Sequence, residues 1–120
     1  MTLIMVLVFL TGFISIGVGL VTSDGLMSRL YRDHHDQWEA CGRPAGMFRT
    51  PQEVVDAPFK AGWASSLATS RVLWRWLFHT PEWARAEPQA LRSLRRMRIA
   101  TLVAHVAVVA WVALCIRQAF

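Results

Sequence analysis

The chain has 120 residues, is 54% hydrophobic with a mean hydropathy of +0.33, and carries a formal charge of +5. These averages hide a segregation: Thr2 to Ser23 and Ile99 to Ile116 contain no Asp, Glu, Lys or Arg, while the 75 residues between hold 12 of the 13 basic and all 8 acidic side chains. Seventy-five mixed residues are too few to cover two helices that are apolar all round, which excludes an ordinary soluble domain as the reading.

The first apolar stretch is 22 residues and the second 18. As helices they span about 33 and 27 Å, close to the ~30 Å hydrocarbon core. A helix satisfies its own backbone in lipid. The sequence therefore predicts an all-α membrane protein, with two transmembrane helices joined by a mostly helical, Trp- and Arg-rich segment. The expected divisions are transmembrane helix 1 at 1–23, a helical and partly membrane-surface segment at 24–87, an extension of helix 2 at 88–98, transmembrane helix 2 at 99–116 and a short tail at 117–120. The first stretch has no basic residue ahead of it and exceeds the usual apolar length of a cleaved signal, so it reads as a retained helix.

Within helix 1, Thr11, Ser15 and Gly19 recur every four residues, a small-residue face of the kind that lets helices approach closely in lipid. Ser23-Asp24-Gly25 could bend the helix. A helical pattern resumes over Leu26 to Cys41 and closes at Gly42-Arg43-Pro44. Thr50-Pro51-Gln52-Glu53 has the form of a capping box, predicting a short helix to about Ala57.

Ala61 to His79 reads as one further helix with an apolar, Trp-bearing surface. Trp favours the headgroup level, where its ring is apolar and its N–H stays wet. Trp63, Trp74 and Trp76 are thus expected at the membrane surface, and the same residues could instead build a small core. Thr80-Pro81-Glu82 is another helix start, and Glu87-Pro88 begins the last helix, with Pro at its first position.

The basic cluster Arg92, Arg95, Arg96 and Arg98 abuts the second span. Such a bias places the middle segment in the cytoplasm with both termini outside. It also implies contact with anionic lipid rather than nucleic acid, for which no motif is present. Cys41 and Cys115 then fall in different compartments, which makes a disulfide between them implausible.

His105 lies seven residues past Arg98, about 10 Å into the span. An ionisable residue there is costly and is a functional candidate. It could hydrogen-bond Thr11 or Ser15 of helix 1, relay protons, or ligate a haem iron shared by two chains in an electron-transfer subunit. Ala100, Ala104 and Ala107 form a separate small-residue stripe.

Asp33-His34-His35-Asp36 suggests metal chemistry, yet tandem histidines on a helix point about 100° apart. His35 with Glu39 supplies two ligands, His79 could join only through folding, and zinc takes three or four. A membrane-surface enzyme or metal site around His34, His35 and His79 stays open beside a plain charged face. No nucleophile–base pairing, phosphate loop or hydrolase elbow is present.

The spacing His34-x-x-x-Trp38-x-x-x-Gly42-x-Pro44 resembles that of small two-span bacterial membrane proteins of the universal stress protein B-like group. So does Glu87-Pro88-x-x-Leu91-x-x-Leu94 ahead of the second span. The resemblance implies an inner-membrane protein and assigns no catalytic residue. The expected activity is that of a non-enzymatic accessory or interaction subunit without a cofactor or metal. It would act through helix packing, as a homo-oligomer or inside a larger membrane complex.

Overall fold

The computed structural model describes residues 2–46, 48, 50–55 and 59–120, without the side chains of Glu53 and residues 59–62. Every regular element among the described residues is a helix. They are α1 (Thr2–Asp33), α2 (His35–Ala40), α3 (Gln52–Val55), α4 (Phe59–Phe78), α5 (Glu82–Arg85) and α6 (Pro88–Ala119). α1 and α6 have 32 residues each and pack along one another as a hairpin, giving a molecule 53 × 35 × 19 Å. Both are long and apolar enough to cross a membrane. Only 11% and 17% of their most apolar windows is buried inside the protein, where the core helix of a covered soluble bundle would be mostly buried.

The hairpin closes on small side chains. A Cβ added to Gly12 would lie 3.2 Å from the Ala107 Cβ, and one added to Gly19 would lie 3.8 Å from the Ala100 Cβ. Ala100, Ala104 and Ala107 are all buried in this seam. In lipid, close backbone approach through small residues supplies the packing that water would otherwise drive.

α1 runs straight through Ser23-Asp24-Gly25. The Ser23 hydroxyl donates to Gly19 O at 2.7 Å, and Asp24 is buried with Oδ1 accepting the Phe48 N–H at 3.1 Å. The break falls ten residues later, at His34 (φ −134°, ψ 53°), after which α2 starts. α2 ends where Gly42 and Arg43 take the left-handed region (φ 90° and 56°), with Arg43 N–H donating to Trp38 O at 3.0 Å. That bond returns an otherwise orphaned carbonyl to the chain. α3 starts where the capping pattern predicts, although Thr50 Oγ1 donates to Gly46 O at 3.4 Å; the expected end near Ala57 lies outside the described residues.

α4 has two apolar faces. Ser65, Ala68, Val72 and Trp76, spaced by three and four residues, are buried, whereas Trp63, Leu67, Trp74 and Phe78 form an exposed stripe on the other side. The buried face and α5 complete a core of Leu26, Met27, Leu30, Trp38, Val72, Trp76, Trp83, Ala84, Ala90, Leu94 and Met97. The segment between the spans is therefore both a packed cap and a carrier of exposed aromatics.

Candidate functional site

Two clusters of polar side chains stand out, one at the base of the hairpin and one beside the seam. At the base, α1 ends and α6 begins side by side. Glu87 is the residue before Pro88 and holds extended backbone (φ −116°, ψ 107°) at the start of α6. Its carboxylate accepts from Arg29 Nη1 at 2.8 Å through Oε2 and from His34 Nε2 at 2.6 Å through Oε1. Arg29 Nη2 donates onward to Gln89 Oε1 at 3.1 Å. The Arg29 bond first, and the His34 bond second, hold the Glu87 carboxyl below its ordinary value of 4.5. The His34 ring lies tilted by 40° against Trp83 at 5.0 Å, and Trp83 packs edge-on against Trp76 at 5.7 Å.

The remaining motif positions serve the same junction. Trp38 is fully buried, and its Nε1–H donates to Pro44 O at 2.8 Å. Gly42 provides the left-handed turn that brings Pro44 round, and its missing side chain leaves room for Ala68, whose Cβ would lie 3.0 Å from a Cβ at position 42. The Ser65 hydroxyl donates to Arg43 O at 2.6 Å, and Ala45 N–H donates to Thr69 Oγ1 at 2.8 Å, strapping the turn to α4. His34, Trp38, Gly42 and Pro44 thus form one structural knot with Glu87. The sequence pattern does not pair His34 with Glu87: it puts Glu87 at a helix start but His34 inside one helix over Leu26 to Cys41, which the structure breaks at His34.

The histidines go separate ways. His35 lies by Tyr31 O (3.2 Å) and Glu39 (3.7 Å), and His79 is exposed with its N–H bonded to Arg75 O. No three His, Cys, Asp or Glu side chains among the described residues are grouped to hold a metal ion.

Beside the seam, His105 does not reach Thr11 or Ser15, the partners that the sequence offers it. Its Nδ1 bonds Thr101 O, one turn back on its own helix, at 2.7 Å. Thr11 likewise turns inward to its own helix, donating to Leu7 O at 2.8 Å. The close face of α1 is carried by Gly12 and Gly19 rather than by Thr11, Ser15 and Gly19, since buried Gly12 lies one residue round from Thr11 and seven before Gly19. Ser15 is half-buried beside this line.

The tryptophans divide. Trp63 (63% exposed) and Trp74 (67%) are on the surface, but Trp76 (3%) is in the core, so it is not an interfacial residue. Two positions along a helix from Trp74 turn it about 200° away. Arg92, Arg95 and Arg96 are exposed, whereas half-buried Arg98 donates through Nε to Trp76 O at 2.9 Å and through Nη2 to Thr80 Oγ1 at 3.2 Å. Arg98 ties the end of α4 to α6.

No protein-family model matches this chain, and no curated protein or solved structure is significantly similar to it.

Proposed function

We propose that the chain is a two-span accessory subunit of a bacterial inner membrane, non-enzymatic, with both termini outside and the helical cap in the cytoplasm. The observation that carries this reading is the division of surfaces on the hairpin. Gly12, Gly19, Ala100, Ala104 and Ala107 are spent on the seam, and the outward side chains of both spans, from Leu3, Phe9 and Phe13 to Val106, Val109 and Trp111, are mostly large, apolar and exposed. A seam of this kind makes the pair one rigid body, so lipid or neighbouring helices meet the outer faces.

The cap supports the same reading. The stripe Trp63, Leu67, Trp74 and Phe78 runs beside exposed Arg71 and Arg75, and Arg92, Arg95 and Arg96 share the exposed side of the base of α6. Aromatic rings with arginines suit an anionic headgroup layer. The His34, Trp38, Gly42 and Pro44 pattern, with its resemblance to two-span bacterial membrane proteins, points to the same location.

The test is crosslinking and co-purification from native membranes. A defined larger assembly, as a homo-oligomer or with other membrane proteins, is expected; a monomer without partners in both assays removes the subunit reading. Orientation is checked at exposed Cys41, which should resist a membrane-impermeant thiol reagent applied to intact cells and react once the membrane is opened.

A further inference from the structure

Three hydroxyls on the spans satisfy themselves. Thr11, Thr22 and Ser23 each donate to the carbonyl four residues back, at 2.7–2.8 Å. Ser15 and Thr101 do not: neither hydroxyl has a hydrogen-bond partner among the described residues, and neither does His105 Nε2. All three residues line one groove of about 390 Å³, formed where α4 leans on the hairpin through Leu73, Trp74 and Leu77. No buried polar side-chain atom among the described residues lacks a partner, so these groups are open to the groove rather than sealed in protein. Thr101 and His105 stand three and seven residues beyond Arg98, about 5 to 10 Å into the span. Polar groups at that depth find little water, and leaving them unmatched is costly.

The hydrogen-bond roles specify the complement. Because Thr101 O only accepts, His105 Nδ1 donates to it, and with the ring proton placed there Nε2 is left to accept. The Ser15 and Thr101 hydroxyls supply donors. We propose that this groove binds a membrane-dissolved amphiphile whose hydrocarbon body lies along Leu73 and Leu77 and whose head pairs a hydroxyl donor with an acceptor oxygen. The hydroxyl donates to His105 Nε2, and the neighbouring oxygen accepts from Ser15 or Thr101. A quinol head with an alkoxy group beside its hydroxyl and the glycerol end of a diacylglycerol both have this chemistry. The volume falls in the range of small-molecule sites. The inference needs the spans to be in a membrane but does not need the subunit reading, since purified protein without any partner suffices to test it.

The experiment is calorimetric titration of the detergent-purified chain with four probes: a short-chain quinol bearing that alkoxy group and kept reduced, its quinone, dioctanoylglycerol, and trioctanoylglycerol, which lacks the free hydroxyl. At least one hydroxyl-bearing probe should bind saturably and about five- to tenfold more tightly than its partner without the donor. His105→Leu should erase that preference while retaining the weaker binding, and His105→Gln, which keeps an acceptor, should restore part of it. Preference for the quinol alone or for the diacylglycerol alone identifies the head, and either supports the site. Equal affinity within both pairs, a preference that survives His105→Leu, or no saturable binding by protein of full helical content overturns it. So does a Soret band that disappears in His105→Leu, which would assign Nε2 to iron.

Discussion

His34 and Glu87 are 53 positions apart in the chain and meet through a 2.6 Å hydrogen bond at the point where α1 ends and α6 begins. Arg29 grips the other oxygen of the same carboxylate. The two long helices are thereby joined at their base by a bidentate acceptor, and at mid-height by the glycine–alanine seam. One is polar and set at the helix boundary; the other is apolar and follows the helix repeat.

The latch has an acid limit. Glu87 is held below 4.5 by Arg29 and then His34, so its ionised form is favoured in the folded state. A lowered carboxyl contributes stability that is complete above the ordinary value and is lost as pH falls through the lowered one. Thermal melts followed by circular dichroism should therefore show the folded chain weakening below about pH 4.5. Glu87→Gln should melt at a lower temperature at pH 7 and lose that part of the acid dependence. An unchanged acid profile in Glu87→Gln would place the titration elsewhere.

The spans are legible in the sequence because lipid imposes length and apolarity on it directly, and the break before Pro88 because proline starts helices by removing a donor. The continuity of α1 past Gly25 is not legible. A glycine only permits a bend, and the Asp24 bond to Phe48 that ties down this part of α1 comes from 24 residues away. Gly12 is hidden for a related reason: in a run of small residues, which one faces the partner depends on the rotation of α1 against α6. The two roles of α4 cannot be assigned from the sequence, since Trp74 and Trp76 are chemically alike and only the docked position of the helix separates them.

The rotation of α1 can be tested with two glycines. A side chain at Gly12 runs into Ala107, while a Cβ at Gly17 would have nothing within 4 Å. Gly12→Leu should destabilise the hairpin by about 1–3 kcal/mol through overpacking. Gly12→Ala, needing only a few tenths of an ångström from Ala107, should lie within about 1 kcal/mol of wild type because its helix propensity offsets the contact. Gly17→Leu should be neutral or mildly stabilising. Denaturation by SDS, followed by helix content, ranks the three.

Gly42 carries two demands at once, a left-handed backbone (φ 90°) and a Cβ position 3.0 Å from Ala68. Gly42→Ala should cost about 1–3 kcal/mol. Adding Ala68→Gly should recover only the contact share, leaving the backbone share, which a double-mutant cycle separates. Trp38→Phe, at the same knot, should lose about 1–3 kcal/mol because the Pro44 carbonyl is left without its buried donor.

Trp74 and Trp76 offer the clearest contrast, being two residues apart with opposite surroundings. Trp76 is 3% exposed and packs on Trp83, so Trp76→Ala should cost about 3–5 kcal/mol. Trp74 is 67% exposed and touches Phe78 edge-on at 5.5 Å, so Trp74→Ala should change stability by about 0.5 kcal/mol or less. Their fluorescence should divide the other way. In bilayers whose lipids carry bromine near the headgroup, Trp74→Phe should remove a quenchable part of the emission, and Trp76→Phe should remove emission that bromine does not reach. If both variants lost the same quenchable share, the aromatic stripe of α4 would not face lipid, and the cap would have to be placed away from the membrane surface.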